Sequence, residues 1–468
     1  MTTPIEVELN APAPPDETVL PTASLDDDTI LEISQAININ DFDLIASFLT
    51  ESSASDTADL IAKLRTEDRE SLLNDFFEII DPNSFTYLNP ELRKLVLMQI
   101  GAQRVAYTIT RLESDDALDL VIDLEDEFQQ EVIRKLSASM RVTIEEGLNF
   151  PEDSAGRLMQ REVVAVPQFW TVGKTIDYLR EASSDLPADF FDVFVITPAY
   201  HIVGQVPVNQ LIRAKRNEKL EELSLKDVKT IPASMDQEEV AMLFRHDSLV
   251  SAAVVDEAGR LIGTITIDDI IDVIDEEAQE DILKMAGVEQ GDLYRAILSS
   301  TGTRFRWLFV NLLTAILASI VISFFDATIE QIVALAVLMP IVASMGGNAG
   351  TQTLTVAVRA LAMRELSAAN TWRIIWKESI IGSINGVLFA AIAGVITALW
   401  FGNMMLGTVI GLSMIVNLLV AGFFGACIPI IIDKMGSDPA VSSTVFLTTL
   451  TDIVGFFVFL GLASLMLL

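Results

Sequence analysis

The sequence predicts a multidomain protein. A disordered acidic tail (1–24) precedes an α-helical superhelical N-terminal domain (25–150) and a tandem pair of α/β units (151–276). A connecting helix (277–303) then leads into an all-α membrane domain of five spans (304–468). Three observations predict this: segregated charge, two internal repeats of different period, and long uncharged apolar runs confined to the last third. The 468 residues include 31 Lys and Arg against 66 Asp and Glu, a formal net charge of −35. From Arg304 onward there are seven of each sign, so 24 basic and 59 acidic residues fall in 1–303, and that portion carries the whole −35. A polyanion joined to a formally neutral apolar domain excludes nucleic acid as a partner and points to cations.

The tail, MTTPIEVELNAPAPPDETVLPTASLDDD, has no basic segment and no apolar core, so it does not read as a signal peptide; its Pro, Ala and acidic content reads as disorder. One cysteine (Cys427) and two histidines leave little for a zinc site. Metal chemistry here rests on oxygen ligands, which suit Mg²⁺, Ca²⁺ or Mn²⁺.

Residues 25–150 have helical periodicity with a repeat at sixty positions. Leu60, Ile61, Leu64, Leu72 and Leu73 return as Leu120, Val121, Leu124, Val132 and Ile133, the pattern of stacked helices. Asp115, Asp116, Asp119, Asp123, Glu125 and Asp126 crowd one part of this domain, which by default is a solvated face. From about 155 to 276 two similar α/β units follow, each with short β-rich runs, a helix, a hairpin turning at Ala199-Tyr200 or Ala258-Gly259, and a second helix. The segment DDIIDVIDEEAQED (Asp268–Asp281) comes next, eight of its fourteen residues acidic. On a helix, Asp269, Asp272 and Glu276 share one face, as do Glu277 and Glu280 or Asp281, so like charges repel unless cations bridge them.

A helix needs about 20 apolar residues to span a bilayer. Uncharged stretches lie between Arg306 and Asp326, from Gln331 to Val358, twice within 379–432 with a turn near Gly402-Asn403, and from Pro439 to Leu468 with Asp452 inside. That gives five spans. Arg304 and Arg306, then Arg359, Arg364, Arg373 and Lys377, then Lys434 flank alternate loops on one side, which places the acidic portion in the cytoplasm and the C-terminus outside. Asp452 sits mid-span, where a carboxylate faces a bundle interior or a water-filled path. No Lys, Arg or His is embedded beside it, so a solvent cation is the better partner than a structural one, with Thr448, Thr449 and Thr451 adding hydroxyl oxygens. In span two, SMGGNAGTQTLT (Ser344–Thr355) is expected to interrupt the helix after Pro340. Gly346, Gly347 and Gly350 would allow close approach and expose carbonyls, while Asn348, Thr351 and Gln352 bond water. Such a stripe also fits a packing interface without transport; together with Asp452 it favours a pore, lined by Gly346, Gly347, Asn348, Gly350, Gln352, Thr448 and Thr451.

The paired α/β units resemble CBS domains. That resemblance implies an adenine-nucleotide site such as one for ATP, built on a Thr-x-x-Asp element that the second unit keeps (Thr266, Asp269) and the first replaces with Pro207. The whole order of domains is similar to the MgtE family of magnesium transporters, over nearly all of the chain after residue 25. The motifs EDSAGRLM (Glu152–Met159), TIDDIIDVIDEEAQEDILKMAGV (Thr266–Val288), GGNAGTQ, and DPA with TTLTD carry it. The resemblance implies a homodimer in a cell membrane, with the pore on its twofold axis and no obligatory protein partner. Asp452 would bind the permeating hydrated Mg²⁺, and Asp438 would be a second carboxylate at the cytoplasmic mouth. Regulatory Mg²⁺ ligands map onto Asp236 and Glu238, onto Asp269, Asp272, Glu277, Glu280 and Asp281, and in the N-terminal domain onto Asp115, Asp116 and Asp119. The sequence departs from the family between DPA and Asp452, where Ser442, Ser443 and Thr444 stand at positions in which an Asn can occur.

The expectation is therefore a Mg²⁺ channel closed by cytoplasmic Mg²⁺. The rivals are a transporter of Mn²⁺ or Co²⁺, and a CBS-regulated membrane receptor or enzyme. The sequence offers no nucleophile–base set, P-loop or HExxH motif, so no catalytic residue is expected.

Overall fold

The computed structural model describes residues 25–182, 186–187, 189–288, 297–367 and 369–468; the acidic tail 1–24 and part of the expected connection, 289–296, lie outside them. The chain divides into two compact units, up to Val273 and from Ile274 onward.

In the first unit, nine α-helices come first: α1 (Asp27–Ile39), α2 (Phe42–Glu51), α3 (Ala54–Lys63), α4 (Thr66–Asp75), α5 (Pro90–Ile100), α6 (Ala102–Ile109), α7 (Ser114–Ile122), α8 (Asp126–Lys135) and α9 (Ala138–Leu148). Local chemistry sets their ends. The Ser53 hydroxyl accepts from the Asp56 N–H to start α3, and Asn89 caps α5 with Pro90 at its first position. The sixty-residue repeat is the stacking core: all five residues of its first copy and all five of its second are buried, with α3 and α4 matching α7 and α8.

Next come α10 (Ala155–Leu158), β1 (Ala165–Pro167), α11 (Val172–Glu181), β2 (Asp192–Ile196), β3 (Ile202–Pro207) and α12 (Val208–Arg213). The second α/β unit follows with α13 (Leu220–Leu223), β4 (Thr230–Pro232), α14 (Gln237–Asp247), β5 (Ser251–Val255) and β6 (Leu261–Thr266). Each unit is a three-stranded sheet, β1-β2-β3 or β4-β5-β6, with its first pair parallel and its second antiparallel. The central strands β2 and β5 are buried along their whole length, as runs that are apolar after their first residue require. The hairpins turn where expected, through Tyr200 (φ 63°) and Gly259 (φ 76°).

α15 (Ile267–Ala286) corrects one expectation. The last helix of the second α/β unit and the acidic connection are a single helix, which ends at Gly287 (φ 68°) rather than running on to 303. Glycine adopts that left-handed conformation without a Cβ clash and so stops the helix.

The second unit holds α16 (Ile297–Ser323), the short α17 (Asp326–Gln331), α18 (Ala334–Ala362), α19 (Thr371–Phe401), α20 (Met404–Lys434) and α21 (Pro439–Leu467). Five of these helices are long and apolar enough to cross a membrane. α19 and α20 meet through the turn at Gly402 (φ 62°) and Asn403, whose side chain accepts from the Met405 and Leu406 N–H groups. α20 is the packing centre, with half of its apolar window buried. It approaches α19 so closely that a methyl on Gly422 would stand 2.6 Å from the Glu378 carbonyl oxygen. Gly422→Leu is expected to force the two helices apart and destabilise the bundle by about 1–3 kcal/mol or more, read as a lower melting temperature in detergent; an unchanged melting temperature would contradict this contact.

Candidate functional site

α18 does not break. It runs as one helix through Pro340 and the glycines, so its carbonyls are engaged in the helical ladder and are not exposed as the sequence suggested. The proline removes one backbone donor, and the small residues that follow let neighbouring helices close in. Ser344, Asn348, Thr351, Gln352 and Thr355 recur at helical spacing and are all exposed, forming one uncovered polar face. Gly347 lies beside this face, where an added methyl would stand 4.0 Å from the Thr448 methyl of α21. Gly346 and Gly350 are buried against α20 and α21, with a methyl on Gly350 reaching Leu447 at 3.0 Å. Of the expected pore-lining residues, Gly347, Asn348, Gln352 and Thr448 thus lie at or near the open face. Gly346, Gly350 and Thr451 lie inside the packing.

Asp452, midway along α21, is half-buried and makes no hydrogen bond or ion pair among the described residues. Its threonine neighbours turn their hydroxyl protons to their own helix: Thr448 donates to the Thr444 carbonyl (3.0 Å) and Thr451 to the Thr448 carbonyl (3.0 Å). The oxygen lone pairs are left, so this stretch presents acceptors and negative charge.

At the N-terminus of α21, Asp438 caps the helix by accepting from the Ala440 N–H at 2.8 Å. Its other oxygen pairs with Lys284 of α15 at 2.9 Å, and Lys284 also holds Glu280 at 2.6 Å. Burial alone would lower the Lys284 pKa, but its bonds to Glu280 and Asp438 outweigh burial and raise it. Asp281 is pushed up by burial and then by Asp438. Met285 packs among Leu354, Val358, Ala440 and Leu447, and its carbonyl accepts from Thr444 at 3.4 Å. Three of the expected ligands, Glu280, Asp281 and Asp438, therefore meet here around a lysine that was not among the expected site residues. Its signal was in the sequence, four residues after Glu280.

The other acidic cluster lies in the first unit. α7 is anchored by Ser114, whose hydroxyl donates to Glu162 (2.7 Å) and accepts from the Arg161 N–H (2.7 Å). This anchoring sets Asp115 and Asp116 near the start of α15. Burial pushes the Asp115 pKa well up, with Asp269 and Asp116 adding to it. Asp116 is raised to about 6 by burial and then by Asp119, with Asp268 and Asp272 contributing. Asp269, which accepts from the Thr266 hydroxyl at 3.0 Å, is raised to about 7 by burial and then by Asp268.

Asp119, together with Asp123, grips the buried Arg93, each at 2.6 Å. Asp236 caps α14, accepting from the Glu238 N–H at 2.9 Å, and Glu277 is half-buried on α15. Among the described residues no three His, Cys, Asp or Glu side chains converge closely enough to hold a metal ion. The cluster is a field of mutual repulsion rather than a formed cage. Beside Thr266 lies a cavity of about 10 Å³ lined by Gln160, Glu162, Asp192 and Ser251.

The raised carboxylates have a consequence for pH. Folded values above the unfolded ones mean that the charged forms oppose the fold: the penalty is small near pH 4 and grows as pH rises through 6 and 7. Without divalent ions the first unit is expected to be cut faster by protease at pH 8 than at pH 5, by about tenfold for each 1.4 kcal/mol of repulsion. Millimolar Mg²⁺ is expected to protect it mainly at pH 8; equal protection at both pH values would contradict the cluster.

Three family models match the sequence: the MgtE divalent cation transporter domain over 339–462, the MgtE intracellular N domain over 52–153, and a CBS domain over 220–276. The magnesium transporter MgtE of Bacillus subtilis is 31% identical over 379 residues, covering 81% of this chain and 84% of that one. The magnesium transporter MgtE of Thermus thermophilus is 32% identical over 358 residues, covering 75% and 78%. Among solved structures, the cytosolic domain of the Mg²⁺ channel MgtE in complex with ATP covers 52% of this chain and 99% of its own at 27% identity, with a TM-score of 0.49.

Proposed function

Because the chain belongs to the MgtE family of magnesium transporters, we propose that it conducts Mg²⁺ through a path beside α18 and α21, with Asp452 as the stopping place and acidic cytoplasmic groups as the gate's sensor. It is a multi-pass membrane protein with five spans. The single observation that carries the conduction path is Asp452, a carboxylate in mid-span with no partner among the described residues and a polar helix face nearby. A polar face turned to lipid is costly, which supports a second copy of the chain packing over it. Two Asp452 carboxylates across a twofold axis would then hold a Mg²⁺ ion through its water shell, since Mg²⁺ dehydrates reluctantly. The basic flanks support a cytoplasmic N-terminus and an outer C-terminus. With the interior negative, entry gains about 2.3 kcal/mol per charge per 100 mV.

Gating follows from the acidic clusters. With little Mg²⁺, Asp115, Asp116, Asp269 and Asp272 repel one another; regulatory Mg²⁺ bridging them lowers that energy and favours a compact, closed state. At the mouth, Lys284 supplies the positive charge between Glu280 and Asp438 that a divalent ion would otherwise supply. Lys284→Gln is expected to raise flux at low internal Mg²⁺. It should also lower the half-inhibiting concentration about 2–5-fold, the worth of one half-exposed ion pair; an unchanged inhibition curve would remove Lys284 from the gate. Flux into proteoliposomes loaded with Mg²⁺, Mn²⁺ or Co²⁺ reporters tests the transport reading, and no Mg²⁺ flux in vesicles holding inserted protein would overturn it.

A further inference from the structure

The interior of the membrane bundle contains a polar side chain that neither path nor gate uses. Asn417, in the middle of α20, is fully buried. Its Nδ2 donates to the Val342 carbonyl of α18 at 2.8 Å, which orients the carboxamide and identifies the opposite atom as the carbonyl oxygen Oδ1. Oδ1 is buried and has no hydrogen-bond partner among the described residues. Two glycines bracket it. A methyl on Gly346 of α18 would overlap the carboxamide, and one on Gly455 of α21 would stand 2.9 Å from Nδ2 and 3.2 Å from Oδ1.

Three helices therefore close on one amide group. Gly455 is three residues after Asp452 and on the same face of α21. Gly346 adjoins Gly347, where an added methyl would come to 4.0 Å from the Thr448 methyl. The amide thus lies at the level of the carboxylate that would stop the ion. A buried acceptor without a donor is unfavourable, and an apolar side chain of the same shape would avoid the penalty. The bond to Val342 explains Nδ2 and leaves Oδ1 unexplained.

We propose that Oδ1 of Asn417 accepts a hydrogen bond from a water molecule in the hydration shell of the divalent ion held at Asp452, and so helps select Mg²⁺ over larger ions. The inference rests on the Asp452 reading. Direct coordination is the weaker chemistry, because one neutral oxygen in a tight glycine cleft does not replace a lost water shell. A fixed acceptor reached by one of those waters would discriminate by shell radius: Mg²⁺ holds its waters at about 2.0–2.1 Å and Ca²⁺ at about 2.3–2.6 Å.

The test compares Asn417→Leu with Asn417→Asp in the full chain, measuring Mg²⁺ and Ca²⁺ flux in proteoliposomes over a concentration series. Both variants lose the bond to Val342, but only aspartate keeps an acceptor. Leucine is expected to raise the KM for Mg²⁺ and cut the Mg²⁺/Ca²⁺ ratio about tenfold, the effect of one hydrogen bond. Aspartate is expected to keep the ratio within about twofold and to lower the KM, as an added negative charge near the ion does. If both variants shift alike, or neither moves the ratio, the amide is a structural pin and the inference fails. Should the leucine chain not insert, Asn417→Ala takes its place with the same expectations. Asp452→Ala is run beside them: flux retained there sinks the stopping-place reading, whereas flux lost there with Asn417→Leu unchanged sinks only this inference.

Discussion

Asp452→Ala is expected to reduce Mg²⁺ uptake roughly 100-fold or more, while leaving the protein inserted and folded. The estimate takes about one tenfold factor from each carboxylate if two chains share the path. The side chain is half-buried and no hydrogen bond or ion pair to it occurs among the described residues, so its removal breaks no contact that holds the bundle together. Asp452→Asn keeps the shape and removes the charge. If charge does the work, asparagine behaves like alanine; if oxygen position suffices, asparagine retains a good part of the flux. Uptake by a host that depends on an added Mg²⁺ transporter, scored against protein level in the membrane, separates the cases. Wild-type uptake by the alanine variant would end the proposal that the ion stops here.

Removing residues 1–270 is expected to leave conduction intact and to raise the half-inhibiting internal Mg²⁺ concentration at least about tenfold, the effect of losing ~1.4 kcal/mol of bridging. The cut falls just before the second compact unit and removes α7 together with Asp268 and Asp269, so the repelling cluster disappears. Glu280, Asp281 and Asp438 stay, and any inhibition left belongs to them. A truncated chain inhibited at the wild-type concentration would place the sensor in the second unit alone.

How much was legible in the sequence depended on how local the cause was. The sixty-residue repeat gave ten core positions because stacked helices bury the same face in each copy, and all ten are buried. The two hairpin turns were found because a turn is written in adjacent residues, Ala199-Tyr200 and Ala258-Gly259. The five spans followed from length and the lack of charge. Span two was misread as broken because Pro340 and three glycines score as breakers in water. In the bundle, α20 and α21 pack against those glycines and the helix survives.

The grip of Arg93 on Asp119 and Asp123 spans 26 and 30 residues, and nothing local announces it. Asn417 did leave a trace. It is a carboxamide within the uncharged stretch 379–432, as open to notice as Asp452, but without charge it drew no suspicion. Its neighbours Gly346 and Gly455 are 71 and 38 positions away, so only the fold could show why it matters.

The seam between α19 and α20 divides the bundle mechanically. Where a methyl on Gly422 would stand 2.6 Å from the Glu378 oxygen, no layer of side chains is left to slide, and the Gly394 and Gly407 backbones approach in the same way further along. These two helices therefore form one stiff post. Any widening of the route must come from α16, α18 and α21 tilting against it, so spin labels placed across the post should hold their separation while those between α18 and α21 change.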